Sequence, residues 1–175
     1  PWHQDGAFFG PEVDEVKMVT VWLPLSDVSV KNGCLAVLPG SHRDGLRVHC
    51  PEGTKVNPSG LARVPEKIFD LNAMVPVPMK HGDALVFDRR LIHGSLPNRS
   101  NSLRWSLDLR YLPTGMATGY PQLPGFVIRS QSDPKTELHD AVAWNNMWLD
   151  CRADLIANPV PPLHQRWNND DPVCN

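Results

Sequence analysis

The chain carries no surplus of basic charge: 17 Lys and Arg stand against 19 Asp and Glu, for a net charge of −2. Electrostatic capture of nucleic acid or of an anionic membrane surface is therefore a poor first expectation. No apolar run approaches the roughly 18 residues of a membrane-spanning helix, and no signal-peptide pattern stands at the start. Cysteine is sparse. Cys34, Cys50, Cys151 and Cys174 form no CxxC pair, which disfavours a zinc ribbon or a thioredoxin-like centre. Four thiols in 175 residues do not demand a disulfide framework, so we expect them reduced and the protein cytoplasmic (intracellular). Internal repeats and low-complexity tracts are also absent. The length suits a single domain over 1–175 with a proper core.

What the chain does have is punctuation. Its 18 prolines and 12 glycines are spread throughout and divide it into short runs, the pattern of a mainly β body. Residues 17–25, 34–38, 83–88 and 102–112 read as strands, and 74–79, with two prolines, reads as an edge strand. Residues 43–72 read as a long Pro- and Gly-rich excursion. Along 102–112, Leu103, Trp105, Leu107, Leu109 and Tyr111 share one face, and Ser102, Arg104, Ser106, Asp108 and Arg110 the other. That polar face is either solvated or the lining of a ligand-holding interior. Residues 136–157 switch to helical spacing, with Leu138, Val142, Asn145, Trp148, Cys151 and Leu155 as the packing face. A Pro-rich tail follows and is expected to wrap the surface.

Three residues suggest chemistry: His3 and Asp5 in WHQDG, and His93 in LIHGS. In a strand, residues two apart point the same way, so His3 and Asp5 can grip one ion from one side. A distant histidine completes two imidazoles and a carboxylate, the facial set of non-haem iron oxygenases, which leaves positions open. HxD alone is a weak signal. The stretch 97–101 reads as the turn of a hairpin that pairs His93 with Arg104 and Ser95 with Ser102. A guanidinium there would grip the far carboxylate of a metal-bound dicarboxylate through two parallel hydrogen bonds.

With these residues in view, the sequence resembles the phytanoyl-CoA dioxygenase family, a branch of the 2-oxoglutarate oxygenases. The likeness lies in PWHQDG at 1–6, VWLPLSDVSVKNGCLAVLPGSH at 21–42 and HGDALVFDRRLIHGSLPNRSNSLRWSL at 81–107, and covers about residues 1–112. The resemblance implies a double-stranded β-helix, or jelly roll, with a C-terminal helix. It implies Fe(II), 2-oxoglutarate and O2 as cofactor and cosubstrates, with His3, Asp5 and His93 as the iron ligands. Arg104 matches the clamp on 2-oxoglutarate, Ser95 its assistant, and Trp22 an aromatic of the cosubstrate pocket. Oxidative decarboxylation to succinate and carbon dioxide would be coupled to oxidation of a C–H bond in a small organic substrate. Halogenating relatives lack the carboxylate ligand, so Asp5 favours hydroxylation or a related oxidation. Phe8, Phe9 and Arg110 are candidates for the substrate wall, Arg110 meeting an anionic group or pairing with Asp108. The family carries a substantial segment before its HxD motif, and this chain begins almost on it. The N-terminal part of the family domain is thus expected to be missing, leaving a sheet edge exposed.

Three other readings share these residues. A jelly-roll binding module without catalysis would not form succinate, and a cupin-like metalloenzyme would not need Arg104. A zinc hydrolase would need a general-base glutamate that is not evident.

Overall fold

Valine and threonine dominate the first alternating run, and Val19–Pro24 forms strand β1, burying Thr20, Trp22 and Pro24 on one face. A computed structural model describes residues 1–51, 62–159 and 166–175. The further strands are β2 (Leu35–Val37), β3 (Cys50–Pro51), β4 (Ala62–Arg63), β5 (Val75–Val77), β6 (Leu85–Asp88), β7 (His93–Ser95) and β8 (Ser106–Tyr111). One three-stranded antiparallel sheet runs β6–β1–β8 and another β5–β2–β7, while β3 and β4 pair separately. This interleaving of strands distant in sequence is the jelly-roll arrangement. Trp22 and Phe87 from the first sheet share a buried cluster with Leu35 of the second and with Val28 and Cys34. Burying a side chain such as Phe87 contributes about 1.5–3 kcal/mol. A second cluster of Phe9, Val13, Val16 and Met18 ties residues 9–18 to Leu112 and Tyr120. No described helix is long and apolar enough to cross a membrane.

The prolines of 74–79 do mark an edge: among the described strands, β5 pairs with β2 alone. In and just before β8, Arg104, Ser106 and Arg110 are half-buried while Trp105 is 65% and Leu107 47% exposed; Asp108, on the same face as the arginines, is itself exposed. The polar face is thus divided, with Arg104, Ser106 and Arg110 half-buried and Ser102 and Asp108 exposed.

Four expectations are corrected. First, β7 and β8 form no hairpin. One edge of β7 is taken by β2 and the other by His3, while β8 pairs with β1 along six residues, so the connection 96–105 crosses between sheets. Secondly, the cysteines are not all reduced: Cys50 and Cys174 form a disulfide, leaving Cys34 and Cys151 free. The intracellular expectation loses that support. Thirdly, the helix α1 (Ala141–Ala157) starts later than expected, where the Asp140 side chain accepts from the amides of Val142 and Ala143. It buries no residue. Trp148, Cys151 and Leu155 are only half-buried and Val142 is exposed, and apolar residues outside the expected face (Trp144, Leu149, Ile156) are exposed as well, so no single apolar face is packed away. Fourthly, Asp5 lies not on a strand with His3 but at the start of a 3₁₀ turn, Asp5–Phe8.

The excursion 43–72 holds β3, β4 and the 3₁₀ turn Glu66–Ile68, with two further 3₁₀ turns (Ser41–Asp44 and Leu71–Ala73) at its ends and 52–61 outside the described residues. The tail from Arg166 lies against the body. The Arg166 guanidinium meets Asp14 at 2.5 and 2.6 Å, and the Trp167 indole donates to the Ala7 carbonyl at 2.8 Å.

Candidate metal centre

His3 and His93 are direct antiparallel partners. Each amide donates to the other's carbonyl at 2.9 Å. Directly paired residues project to one face, and the two imidazoles stand 4.3 Å apart between ring centres. Gly94 permits this close approach, since a Cβ there would lie 2.7 Å from the Trp2 ring. Asp5, two residues after His3, swings its carboxylate to the same point. Its Oδ1 lies 3.6 Å from His3 Nε2 and 3.7 Å from His93 Nε2.

The ring nitrogens are committed in a way that suits a metal. His3 Nδ1 donates to the Pro1 carbonyl and His93 Nδ1 to the Leu91 carbonyl, each at 3.0 Å. A carbonyl only accepts, so the proton sits on Nδ1 and the Nε2 lone pair is free. Burial, with His3 next, pushes the His93 imidazolium down to about 4, so the ring is neutral near pH 7. Burial pushes the Asp5 carboxyl up, but His3, His93, Arg110 and Thr20 together outweigh it and hold it well below the usual carboxylate range. One carboxylate oxygen and two imidazole nitrogens lie within 4.8 Å of one another. This donor set fits a divalent first-row metal such as iron(II).

The other residues singled out from the sequence divide into two groups. Arg104 Nη2 donates to Ser95 Oγ at 2.8 Å and Nη1 to Ser106 Oγ at 2.9 Å. The guanidinium carbon stands 5.6 Å from the centre of the Trp22 ring. Arg104, Ser95 and Trp22 thus meet despite the lost hairpin. Trp22 is both a core tryptophan and the platform under the arginine. Phe8 stays beside the ligands, its ring edge-on to His3 at 5.5 Å. Phe9 is buried in the second cluster, edge-on to Tyr120 at 5.0 Å. Arg110 turns to Asp5 rather than Asp108, with Nη2 2.9 Å from Oδ1.

Several supporting residues escape a reading by motif. Thr20 donates its hydroxyl to Asp5 Oδ2. The signal was a threonine in phase with Trp22 on the buried side of β1. Phe87 packs edge-on to the His93 ring at 4.7 Å. Gln4, between the two ligands, is fully buried. Its side chain bonds to Gly45, Arg47 and Arg90, and its amide donates to His49 Nε2 at 3.0 Å. Nothing in the local sequence marks His49.

His49 makes stability depend on pH. Its Nδ1 donates to the Arg47 carbonyl, so a proton added at Nε2 would displace the Gln4 bond. Burial pushes its pKa from 6.5 down to about 4. The unfolded chain therefore binds the proton first. The contribution is full above about pH 6.5 and is lost as pH falls toward 4, by up to about 3 kcal/mol. Thermal melts of the parent are expected to drop more steeply between pH 7 and pH 4.5 than those of His49→Gln. Parallel curves would refute this. His93 contributes in the same window and remains in both proteins.

The profile of the phytanoyl-CoA dioxygenase (PhyH) family matches residues 1–106. A phytanoyl-CoA dioxygenase domain-containing protein 1 of Danio rerio is 35% identical over 105 residues, covering 58% of this chain and 35% of its own. A 1-deoxypentalenic acid 11-beta-hydroxylase of Streptomyces exfoliatus is 34% identical over 128 residues, covering 70% of this chain and 44% of its own. Among solved structures, EvdO2 from Micromonospora carbonacea var. aurantiaca complexed with 2-oxoglutarate superposes with a TM-score of 0.58 at 28% identity. That match covers 67% of this chain and 47% of that one. The chain thus spans less than half the length of these relatives.

Proposed function

Because the chain belongs to the phytanoyl-CoA dioxygenase family, we propose that it is the iron-binding part of an Fe(II)- and 2-oxoglutarate-dependent dioxygenase. Its reaction would hydroxylate, or otherwise oxidise, a C–H bond of a small organic substrate and release succinate and carbon dioxide. The observation that carries this reading is the convergence of Asp5 Oδ1 with two histidines whose Nε2 atoms are free. The hydroxylase among the relatives and the 2-oxoglutarate held by EvdO2 support it. Bound iron(II) supplies the oxygen activation that couples loss of carbon dioxide from 2-oxoglutarate to C–H oxidation.

The chain's own residues do the rest. His3, Asp5 and His93 would hold the ion, and a three-residue set of this kind would leave coordination positions for cosubstrate and oxygen. Arg104, aimed by Ser95 and Ser106, takes the far carboxylate of 2-oxoglutarate. Trp22 shields that contact from water. Phe8 borders the ligands on the side where substrate approaches. We read 1–175 as one unit, a reading supported by the tail's bonds to Asp14, Ala7 and Cys50.

Anaerobic titration with Fe(II) and 2-oxoglutarate tests the proposal. A weak visible charge-transfer band requiring both components is expected, as is succinate formation on admitting oxygen. A protein that gives neither is a binding module. Arg104→Ala is expected to lose about 2–4 kcal/mol of 2-oxoglutarate binding, roughly 30- to 1000-fold, with Fe(II) affinity unchanged. Arg104→Lys, which keeps the charge but not the fork, falls between. Unaltered 2-oxoglutarate affinity in Arg104→Ala would favour a cupin-like metalloenzyme.

A further inference from the structure

We propose that Thr20 and Arg110, a directly paired couple across β1 and β8, form a two-point cradle that positions the Asp5 carboxylate for one-oxygen attachment to the metal. This rests on the reading of His3, Asp5 and His93 as ligands. A single row runs across the first sheet, because Thr20 pairs with Phe87 on one side and with Arg110 on the other. Paired residues share a face, and every member of the row reaches the ligand set. Phe87 packs on the His93 ring, Thr20 donates to Asp5 Oδ2, and Arg110 Nη2 lies 2.9 Å from Asp5 Oδ1.

The two oxygens of Asp5 are thereby made unequal. Oδ2 is occupied by a hydroxyl donor from a fully buried threonine. Oδ1 faces both imidazole Nε2 atoms. A carboxylate oxygen has two acceptor directions, so Oδ1 can keep the guanidinium and still offer a lone pair to an ion. Attachment through Oδ1 alone conserves a coordination position that two-oxygen attachment would consume. Arg110 also sets a countercharge beside a carboxylate that is only 2% exposed. Its Nε is buried with no hydrogen-bond partner among the described residues, while its Nη2 is given to Asp5. Thr20 and Arg110 are positioning residues: they act through Asp5.

Anaerobic Fe(II) titration of the metal-free protein, followed by 2-oxoglutarate and the charge-transfer band, separates this role from a merely structural one. Arg110→Ala is expected to weaken Fe(II) binding 10- to 100-fold, and Arg110→Lys to restore most of it. Thr20→Val, which frees Oδ2, is expected to move the band, and Thr20→Ser to leave it in place. Fe(II) affinity within threefold of the parent in Arg110→Ala, with an unmoved band in Thr20→Val, overturns the cradle. Should Arg110→Ala fail to fold, Arg110→Gln replaces it, and equal Fe(II) affinity in the Gln and Lys variants overturns the cradle likewise. A parent that binds no Fe(II) removes the ligand reading itself; a parent that binds while its variants match it removes only the cradle.

Discussion

His93→Ala and Asp5→Asn are each expected to weaken Fe(II) binding at least about 1000-fold and to abolish succinate formation. Loss of a contact behind a ligand costs roughly 10- to 100-fold, and these substitutions remove a ligand outright. They differ in what they leave behind. His93→Ala opens space beside Phe87 but keeps the backbone pairing with His3, so the fold should persist at reduced stability. Asp5→Asn keeps the shape of the carboxylate but leaves Arg110 without its countercharge. A buried cation stripped of its partner costs about 3–5 kcal/mol, an upper bound here because Arg110 is partly exposed. Far-UV circular dichroism before each titration distinguishes loss of metal from loss of fold. Fe(II) binding within threefold of the parent in both variants would refute the ligand assignment.

The second large effect concerns the strap at the other end of the chain. Cys174→Ser is expected to lower stability by about 2–5 kcal/mol, since the bridge to Cys50 closes a loop of 124 residues and restricts the unfolded chain. For a chain of this size that corresponds to a melting temperature lower by roughly 5–15 °C. Local packing adds to the effect. The strap seats Trp167 5.2 Å from the His49 ring and binds the terminal Asn175 carbonyl to Lys67. Releasing it exposes His49 and lets the Gln4 backbone between the two ligands relax. Thiol titration of the denatured, unreduced protein should find two free cysteines in the parent. Four free thiols, or an unchanged melting temperature in Cys174→Ser, would refute the strap.

The parts of this site legible in the sequence are those carried by local order along the chain. His3, Asp5 and His93 stand in compact motifs, and Arg104 and Ser95 keep fixed spacings from His93. Alternation on β8 showed which residues share a face, although only the structure decides which face is inward. What could not be read depends on pairings between distant strands. Thr20 meets Asp5 because β1 runs between β6 and β8, and His49 supports Gln4 across 45 residues. The expected hairpin failed for the same reason: a turn-rich stretch does not show that both edges of β7 are already taken. The helix failed because spacing reveals a candidate face but not whether anything lies against it. Reading the thiols from their number alone missed a bridge whose partners lie 124 residues apart.

The backbone pairing of His3 with His93 makes one equilibrium of two. An ion held by both side chains also clasps the segment carrying His3 to β7, so whatever favours one favours the other. At a hundredfold excess over its Kd, an ion that binds only the clasped state stabilises it by about 2.7 kcal/mol. Without the ion, that segment relies on its backbone bonds to His93 and Val64 and on Trp2 packed edge-on to Phe69. Metal supply would then govern how long the protein survives proteases, since the open form is what they cleave.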